Sequence, residues 1–221
     1  MEEKIGGRSP VRIGLYGSSD VVEALLGDES SGQRINRLLE ERFEGRFAAD
    51  ITSLAAKPWN LLVDEVERDG VKPADLDVLV LSMAANIGRG EVPPDSIDEL
   101  VSRLIRSLKT ATSAHVVVFN GSSIDPGHHV VGYRNVGSTT SEIIRRWNLA
   151  ILRVSMEQGI SIIDVDRLVA EAGATGNVVA ALRYSETMKD VICHEFVRVL
   201  ADIGFFEPRP LLAQLGRMSG A

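Results

Sequence analysis

Short runs of apolar residues alternate along this chain with longer segments in which apolar positions recur at helical spacing. The clearest run is "LDVLVLSM" at 76–83, where four apolar residues follow one another from Val78 to Leu81. Such a run is typical of a strand that is covered on both faces. The same pattern predicts four further strands, at 11–16, 47–52, 114–120 and 160–164. The segments between them predict helices at 32–43, 58–70, 95–111, 138–159 and 187–203.

This alternation predicts βαβ units with right-handed crossovers. The expected fold class is therefore α/β, a three-layer α/β/α arrangement with a doubly wound parallel sheet of about five strands. No repeat or change of composition marks a second domain, so we expect one domain at 11–206, a flexible lead at 1–10 and a tail at 207–221. Ligands of such sheets bind beyond the carboxyl ends of the strands, which makes each strand-end loop a candidate site.

The composition and charge of the chain argue against several classes of function. The 221 residues suffice for one buried core, and the net charge of −7 without any basic run argues against a nucleic-acid partner. No apolar stretch approaches the ~20 residues of a membrane helix, and the start of the chain lacks the apolar segment of a signal peptide. A single cysteine, Cys193, excludes an internal disulfide and a CxxC metal site. We expect a soluble, cytoplasmic protein that needs no cofactor or metal.

The first strand ends at Gly17-Ser18-Ser19-Asp20. Gly17 permits a backbone geometry that other residues resist. Ser19 can then point its oxygen into the ligand crevice, where helix N–H groups stabilise negative charge. The alternative is that the serines and Asp20 only cap a helix, since these residue types are favoured there. The glycine spacing fits neither nucleotide-binding fingerprint.

Asn86 follows the third predicted strand, so that its amide can reach the same crevice as Ser19, or it is an ordinary polar residue of a loop. Arg89 lies just beyond it and brings positive charge to this edge, as a carboxylate- or phosphate-binding group or as a solvated arginine.

The fourth strand is followed by a long glycine-rich loop at 121–137. Long loops in compact domains are often functional. His128 and His129 lie in this loop, where an imidazole can act as general base to a serine and Asp125 can orient it. The alternative is a solvated or merely substrate-facing pair of histidines. Arg134 in the same loop is a second candidate for binding an anionic group.

The positions of the other two histidines predict structural roles for them. His115 opens the fourth strand at the amino end of the sheet, away from the crevice. His194 lies four residues after Asp190 on the last helix and points away from its apolar stripe, which predicts a solvent-facing Asp–His pair.

On these residues the chain resembles the SGNH (GDSL-like) hydrolase family. Ser19 in "GSSD" stands where the family has its nucleophilic serine, and Asn86 in "AANI" stands where it has an asparagine of the oxyanion hole. The order and spacing of elements over about 11–204 is similar as well. The resemblance implies a parallel sheet with helices on both sides and an acyl-serine mechanism, with a substrate site around Gly17, Ser18 and Asp20.

The chain departs from the family pattern around these two residues. Ser18 replaces the aspartate before the nucleophile, and Ala55 stands near the place of the oxyanion glycine after the second strand. Ala84 and Ile87 replace the glycine and aspartate that flank the asparagine.

The family's final D-x-x-H motif is replaced too. In "ALRYSETM" Ala181 stands about where the catalytic aspartate is expected and Tyr184 about where the histidine is expected. A base for Ser19, if there is one, must come from elsewhere, and His128 and His129 are the candidates.

Three functions remain open. The first is a serine esterase or acyl transferase acting on a small acyl ester. The second is a repurposed pocket that binds an acylated or carbohydrate ligand without hydrolysis. The third is a non-hydrolytic enzyme whose altered crevice performs acid–base chemistry with Tyr184, His128 or His129. The tail, with Leu211, Leu212 and Leu215, is either a docking helix for another copy or protein, or a cover for the chain's own core.

Overall fold

The structure is a computed structural model of the chain. It describes residues 9–16, 19–27, 33–54, 57–73, 75–87, 92–124, 140–180 and 182–206. Within these ranges, none of the helices combines the length and the apolar character needed to cross a membrane.

Five parallel strands form one sheet in the order β2-β1-β3-β4-β5. They are β1 (Ser9–Tyr16), β2 (Phe47–Leu54), β3 (Val78–Ser82), β4 (His115–Phe119) and β5 (Ser161–Ile163). The central strand β3 is buried at all five positions, as its unbroken apolar run predicts. The predicted α/β class and the five-stranded parallel sheet are confirmed.

The order of the strands places a topological switch between β1 and β3. The chain passes from β1 outward to β2, returns to β3 and then continues outward in the opposite direction. At such a point the connections leave the carboxyl ends of two adjacent strands in opposite directions, which opens a crevice at that edge of the sheet.

Eight α-helices accompany the sheet in the described residues. They are α1 (Ser19–Leu26), α2 (Arg34–Phe43), α3 (Trp59–Asp69), α4 (Ala84–Ile87), α5 (Ile97–Ala111), α6 (Thr140–Gln158), α7 (Val165–Ala172) and α8 (Glu186–Asp202). A short 3₁₀ turn at Pro94–Ser96 precedes α5. The helices predicted from periodicity therefore form, with ends that differ by a few residues.

The helices cover both faces of the sheet. On the first face α3, α5 and α6 pack against Leu79 and Leu81 of β3, and on the second face α1, α2, α7 and α8 pack against Val78 and Val80. Because successive residues of a strand point to opposite faces, β3 supplies apolar side chains to both layers. This is the three-layer arrangement predicted from the sequence.

Several elements were not predicted from the sequence. Helices α4 and α7 lie in segments for which no element was predicted. The segment before α8 forms a small antiparallel hairpin of β6 (Val178–Ala180) and β7 (Arg183–Tyr184), separate from the main sheet. The hairpin brings Tyr184 under the carboxyl edge of that sheet, where its hydroxyl contacts the chain after β4.

Candidate functional site

The predicted site residues divide into a described and an undescribed group. The described ones are Ser19, Asp20, Asn86 and Tyr184, although only the backbone of Ser19 is described. Those outside the described residues are Gly17, Ser18, Ala55, Arg89, Asp125, His128, His129 and Arg134, together with Ala181. The geometry of the site is therefore given by the strand ends of β1, β3 and β4 and by the hairpin.

Helix α1 begins at Ser19, three residues after the end of β1. Its first turn is acidic because of Asp20. A carboxylate in the first turn complements the partial positive charge of a helix N-terminus. Ser19 thus starts a helix, as the capping interpretation of this segment also predicts, and it does so beside the switch point of the sheet.

Asp20 joins the first turn of α1 to the end of β3. The Ser82 hydroxyl, which is fully buried, donates a hydrogen bond to Asp20 Oδ2 over 2.7 Å. The same Ser82 oxygen accepts a hydrogen bond from the Ala84 N–H at 3.0 Å, where α4 begins. One hydroxyl therefore couples the start of α1 to the start of α4, and these helices carry Ser19 and Asn86.

Asn86 is 3% exposed, and both ends of its amide are engaged. Its Oδ1 accepts from the backbone N–H of Trp59 at the start of α3, at 2.8 Å, and its Nδ2 donates to the Met83 carbonyl at 3.2 Å. The Trp59 N–H belongs to the first turn of α3, where backbone donors have no partner within the helix. The two bonds fix the amide oxygen toward α3 and orient the Nδ2 end of the side chain.

The chain after β4 is fixed by polar side chains from α6 and α7. Asn148 of α6 pairs with the backbone of Gly121, accepting from its N–H at 3.2 Å and donating to its carbonyl at 2.8 Å. Asp166 of α7 accepts from the N–H of Ser123 at 2.7 Å and from its hydroxyl at 3.1 Å. Hydrogen bonds, rather than apolar packing, therefore position the start of the long loop.

Tyr184 contacts the first residues after β4. It is 5% exposed, and its hydroxyl oxygen accepts a long hydrogen bond of 3.4 Å from the Ser122 N–H. Burial, and then the negative charges of Asp20 and Asp166, raise the pKa of Tyr184 far above its ordinary value. Since the phenol stays neutral at physiological pH, Tyr184 is not suited to the role of general base.

The two described histidines lie away from this edge. His115 opens β4 at the amino end of the sheet, where its Nε2 lies 2.9 Å from the Ser161 hydroxyl. His194 is exposed on α8, as predicted. The predicted pairing of His194 with Asp190 is wrong, because Asp190 instead binds the nearly buried guanidinium of Arg34 from α2. A charged partner outcompetes an exposed imidazole for the carboxylate.

Sequence reasoning missed three side chains of this edge: Ser82, Asn148 and Asp166. Asp166 had a signal, since "IIDVD" puts two carboxylates directly after an apolar run, at the carboxyl end of a strand. Ser82 and Asn148 had none, because a serine at the end of a strand and an asparagine within a helix are common.

The arrangement suits stabilisation of a developing negative charge. Backbone N–H groups at the start of α1 and the Nδ2 end of Asn86 are donors at adjacent strand ends. In the part of the chain that the structure describes, no three His, Cys, Asp or Glu residues are grouped so as to hold a metal ion.

Comparison with known proteins places the fold. No protein-family model and no curated protein matches the sequence. Among solved structures, a lipase/acylhydrolase from Enterococcus faecalis is similar with a TM-score of 0.60 and 14% identity, over 86% of this chain and 94% of that one. A variant of an acetyl xylan esterase from Geobacillus stearothermophilus is similar with a TM-score of 0.61 and 12% identity, over 92% and 97%.

A member of the lipolytic G-D-S-L family from Veillonella parvula is similar with a TM-score of 0.58 and 12% identity, over 87% of this chain and 97% of that one. The similarity extends over most of each chain, while the sequences share few residues. The resemblance stated from the sequence is thereby confirmed for the architecture: the chain has the fold of the SGNH (GDSL-like) hydrolases.

Proposed function

We propose that this protein is a serine esterase or acyl transferase that acts on small acyl esters, with Ser19 as the nucleophile. One observation carries the proposal. Ser19 and Asn86 follow β1 and β3, the two strands that flank the switch point of the sheet, and the Asp20–Ser82 hydrogen bond ties their helices together. The structural neighbours described as esterases and lipases support the same reaction class.

In the proposed reaction the Ser19 oxygen attacks the ester carbonyl and its proton passes to a base. The carbonyl oxygen becomes an oxyanion, stabilised by N–H groups at the start of α1 and by the Asn86 amide. The C–O bond to the alcohol then breaks, and the alcohol leaves with the proton. Water, or an acceptor alcohol in a transferase, attacks the acyl-serine in a second step of the same form.

We assign the proton transfer to His128 or His129. In the described residues the histidines are His115 and His194, and neither lies at the carboxyl edge of the sheet. Tyr184, at the position that the family resemblance gives to the histidine, keeps its proton at neutral pH. The loop that begins at Gly121 carries both remaining histidines, and Asn148 fixes its first residue at the crevice.

The first test is the release of p-nitrophenol from p-nitrophenyl acetate and butyrate. Ser19→Ala is expected to lower kcat by at least about a thousandfold, because removing a nucleophile leaves only binding and oxyanion stabilisation. Ser113→Ala, at an exposed serine far from the crevice, is the matched control and should keep full activity. The double variant His128→Ala/His129→Ala should lose activity and should be labelled far more slowly by a fluorophosphonate, because the same base takes the Ser19 proton in both reactions.

Labelling with a fluorophosphonate and intact-mass analysis make the test independent of the choice of ester. One adduct per chain on the wild type, absent from Ser19→Ala, supports the proposal. Equal turnover by wild type and Ser19→Ala, or an adduct that survives the substitution, contradicts it.

A second candidate function is binding of an acylated or carbohydrate ligand without hydrolysis. The neutral, buried Tyr184 favours it, because a base is missing where the SGNH resemblance places one. This candidate predicts no turnover and no fluorophosphonate adduct. It also predicts a rise of Tm with acetylated xylo-oligosaccharides or acyl esters that Ser19→Ala leaves unchanged.

A further inference from the structure

Helix α6 has apolar residues on two opposite sides. Its inner side, with Trp147, Ile151 and neighbouring residues, is fully buried in the first face. Its outer side carries Leu149, Leu152 and Met156, which are 61%, 49% and 75% exposed. Spacings of three, four and seven residues place these three side chains in one row, the outer stripe of α6.

The outer stripe differs from the isolated exposed apolar residues of the surface. Single side chains such as Leu61 on α3 are ordinary features of soluble proteins. Three large apolar side chains in a row along two turns of one helix form a patch, and such patches mark contact surfaces.

Charges of opposite sign lie at the two ends of this stripe. Arg146 precedes it and Glu157 follows it, and both are exposed. They are eleven residues apart, which is close to three helical turns, so they lie on the same flank of the helix. Within its own chain Arg146 forms an ion pair with the fully exposed Asp95 at 3.7 Å, a long and solvated contact that leaves Arg146 able to pair with a second carboxylate.

We propose that the outer stripe is an interface between two copies of this chain, with their α6 helices packed antiparallel about a two-fold axis next to Leu152. A two-fold axis perpendicular to the helices reverses their direction but keeps each flank facing the same flank of the other copy. Leu152 then meets its own counterpart, and Leu149 meets Met156. On the flank Arg146 meets Glu157, twice by symmetry.

The three pairings agree on the position of the axis. The midpoint of Leu149 and Met156 and the midpoint of Arg146 and Glu157 both fall within one residue of Leu152. Arg153 also lies near the axis, where two like charges approach each other. Its guanidinium donates to Asp98 Oδ2 at 2.7 Å, so this charge is already paired within its own chain.

The proposed interface is small. Three apolar side chains and one charge pair from each copy cover less than the roughly 800 Å² per partner of a standard interface. We therefore expect a reversible dimer with a Kd in the micromolar range. This inference is independent of the proposed enzymatic function, because α6 contributes its outer side to the interface and its Asn148 to the loop after β4.

Sedimentation velocity of the full chain between 1 and 200 μM, a range set by the expected micromolar Kd, tests the proposal. Wild type is expected to shift from monomer to dimer across this range. Leu152→Glu should remain monomeric, because it places two carboxylates on the axis. Leu61→Glu, the matched control at an equally exposed leucine of α3, should dimerise like the wild type.

Charge reversal provides the test of geometry. Glu157→Arg and Arg146→Glu should each weaken the dimer at least tenfold, since like charges then oppose each other twice. The double variant Arg146→Glu/Glu157→Arg should restore wild-type affinity. A parallel packing would pair Arg146 with Arg146 and Glu157 with Glu157, and it does not predict this rescue.

Three outcomes would overturn the proposal. One is a wild type that stays monomeric at every concentration. Another is a dimer that does not respond to the substitutions as predicted, either because Leu152→Glu leaves it intact or because the double reversal fails to restore it. The third is a monomer whose Tm falls on Leu152→Glu, which would mean that the stripe is covered from within the chain. Circular dichroism of each variant confirms that it is folded.

Discussion

Two asparagine side chains next to Trp59 differ in how fully they are hydrogen-bonded. Asn86 engages both ends of its amide, with the Trp59 N–H and the Met83 carbonyl. Asn60 Oδ1, on α3 itself, is buried without a hydrogen-bond partner in the described structure. A buried polar atom costs free energy when it is left unpaired, so these two residues contribute to stability in opposite directions.

We expect Asn86→Leu, which is nearly isosteric, to lower the free energy of unfolding by about 1–3 kcal/mol, because it leaves a buried N–H and a buried carbonyl unpaired. The matched control Asn60→Leu removes an oxygen that is already unpaired, and it should be neutral or stabilising. Urea unfolding of both variants checks this. Equal losses in the two variants would contradict the assignment of Asn86 as a positioned amide.

His115 makes stability depend on pH. Burial, and then the positive charge of Lys109, hold the pKa of His115 below its ordinary value of 6.5. The unfolded chain therefore takes up a proton at a pH where the folded chain does not, and unfolding becomes easier as the pH falls. The contribution of His115 is complete above pH 6.5 and is lost as the pH falls through the folded pKa.

We expect His115→Gln to remove part of the loss of stability that the wild type shows as the pH is lowered from well above to well below 6.5. Urea unfolding at several pH values in this interval measures it. His194→Gln, at the exposed histidine of α8, is the control for replacing a histidine by glutamine in this chain. A slope that His115→Gln leaves unchanged would rule out this origin.

At the scale of elements, the sequence predicted the strands and helices whose buried residues form a regular apolar pattern along the chain. The apolar run of β3 and the stripes of α5 and α6 are visible because each face recurs within a few residues. Helix α7 and the β6–β7 hairpin are too short for periodicity to register. The contacts of the candidate site were out of reach for a different reason: Asp20 and Ser82 are 62 positions apart, and Ser123 and Asp166 are 43 apart.

A single side chain protects the edge strand β2. This eight-residue strand lies at the edge of the sheet, with a neighbouring strand on one side only, and such an edge is a hazard for pairing with other chains. Asn36 of α2 covers it at Ala49, accepting from the N–H at 2.7 Å and donating to the carbonyl at 3.0 Å. The amide thus replaces the neighbouring strand that an inner position would have.

Asn36→Leu is expected to lower the free energy of unfolding by about 1–3 kcal/mol and to speed aggregation, because both outward groups of Ala49 lose their partner. Urea unfolding and light scattering at elevated temperature measure the two effects. Glu41→Leu, at an exposed position of the same helix, adds the same apolar side chain and should do neither. Aggregation of both variants at the same rate would assign the effect to surface hydrophobicity instead.

At the scale of the whole molecule, the two helical layers share their central strands. Neighbouring residues of β3 belong to opposite clusters, Val80 to the second face and Leu81 to the first. Neither layer can therefore lose its packing without exposing a strand on which the other depends. We expect the described domain to unfold as one cooperative unit.

The chain carries a natural probe on each face for testing this. Its two tryptophans, Trp59 and Trp147, pack edge to face at 5.3 Å within the first face. Its single cysteine, Cys193, is buried in the second face, where burial raises the pKa of the thiol to about 12 and keeps it unreactive. Tryptophan fluorescence and thiol labelling in urea should therefore give the same midpoint. Thiol labelling at a lower urea concentration than the fluorescence change would mean that α8 and its neighbours detach first, and that the sheet does not couple the two layers.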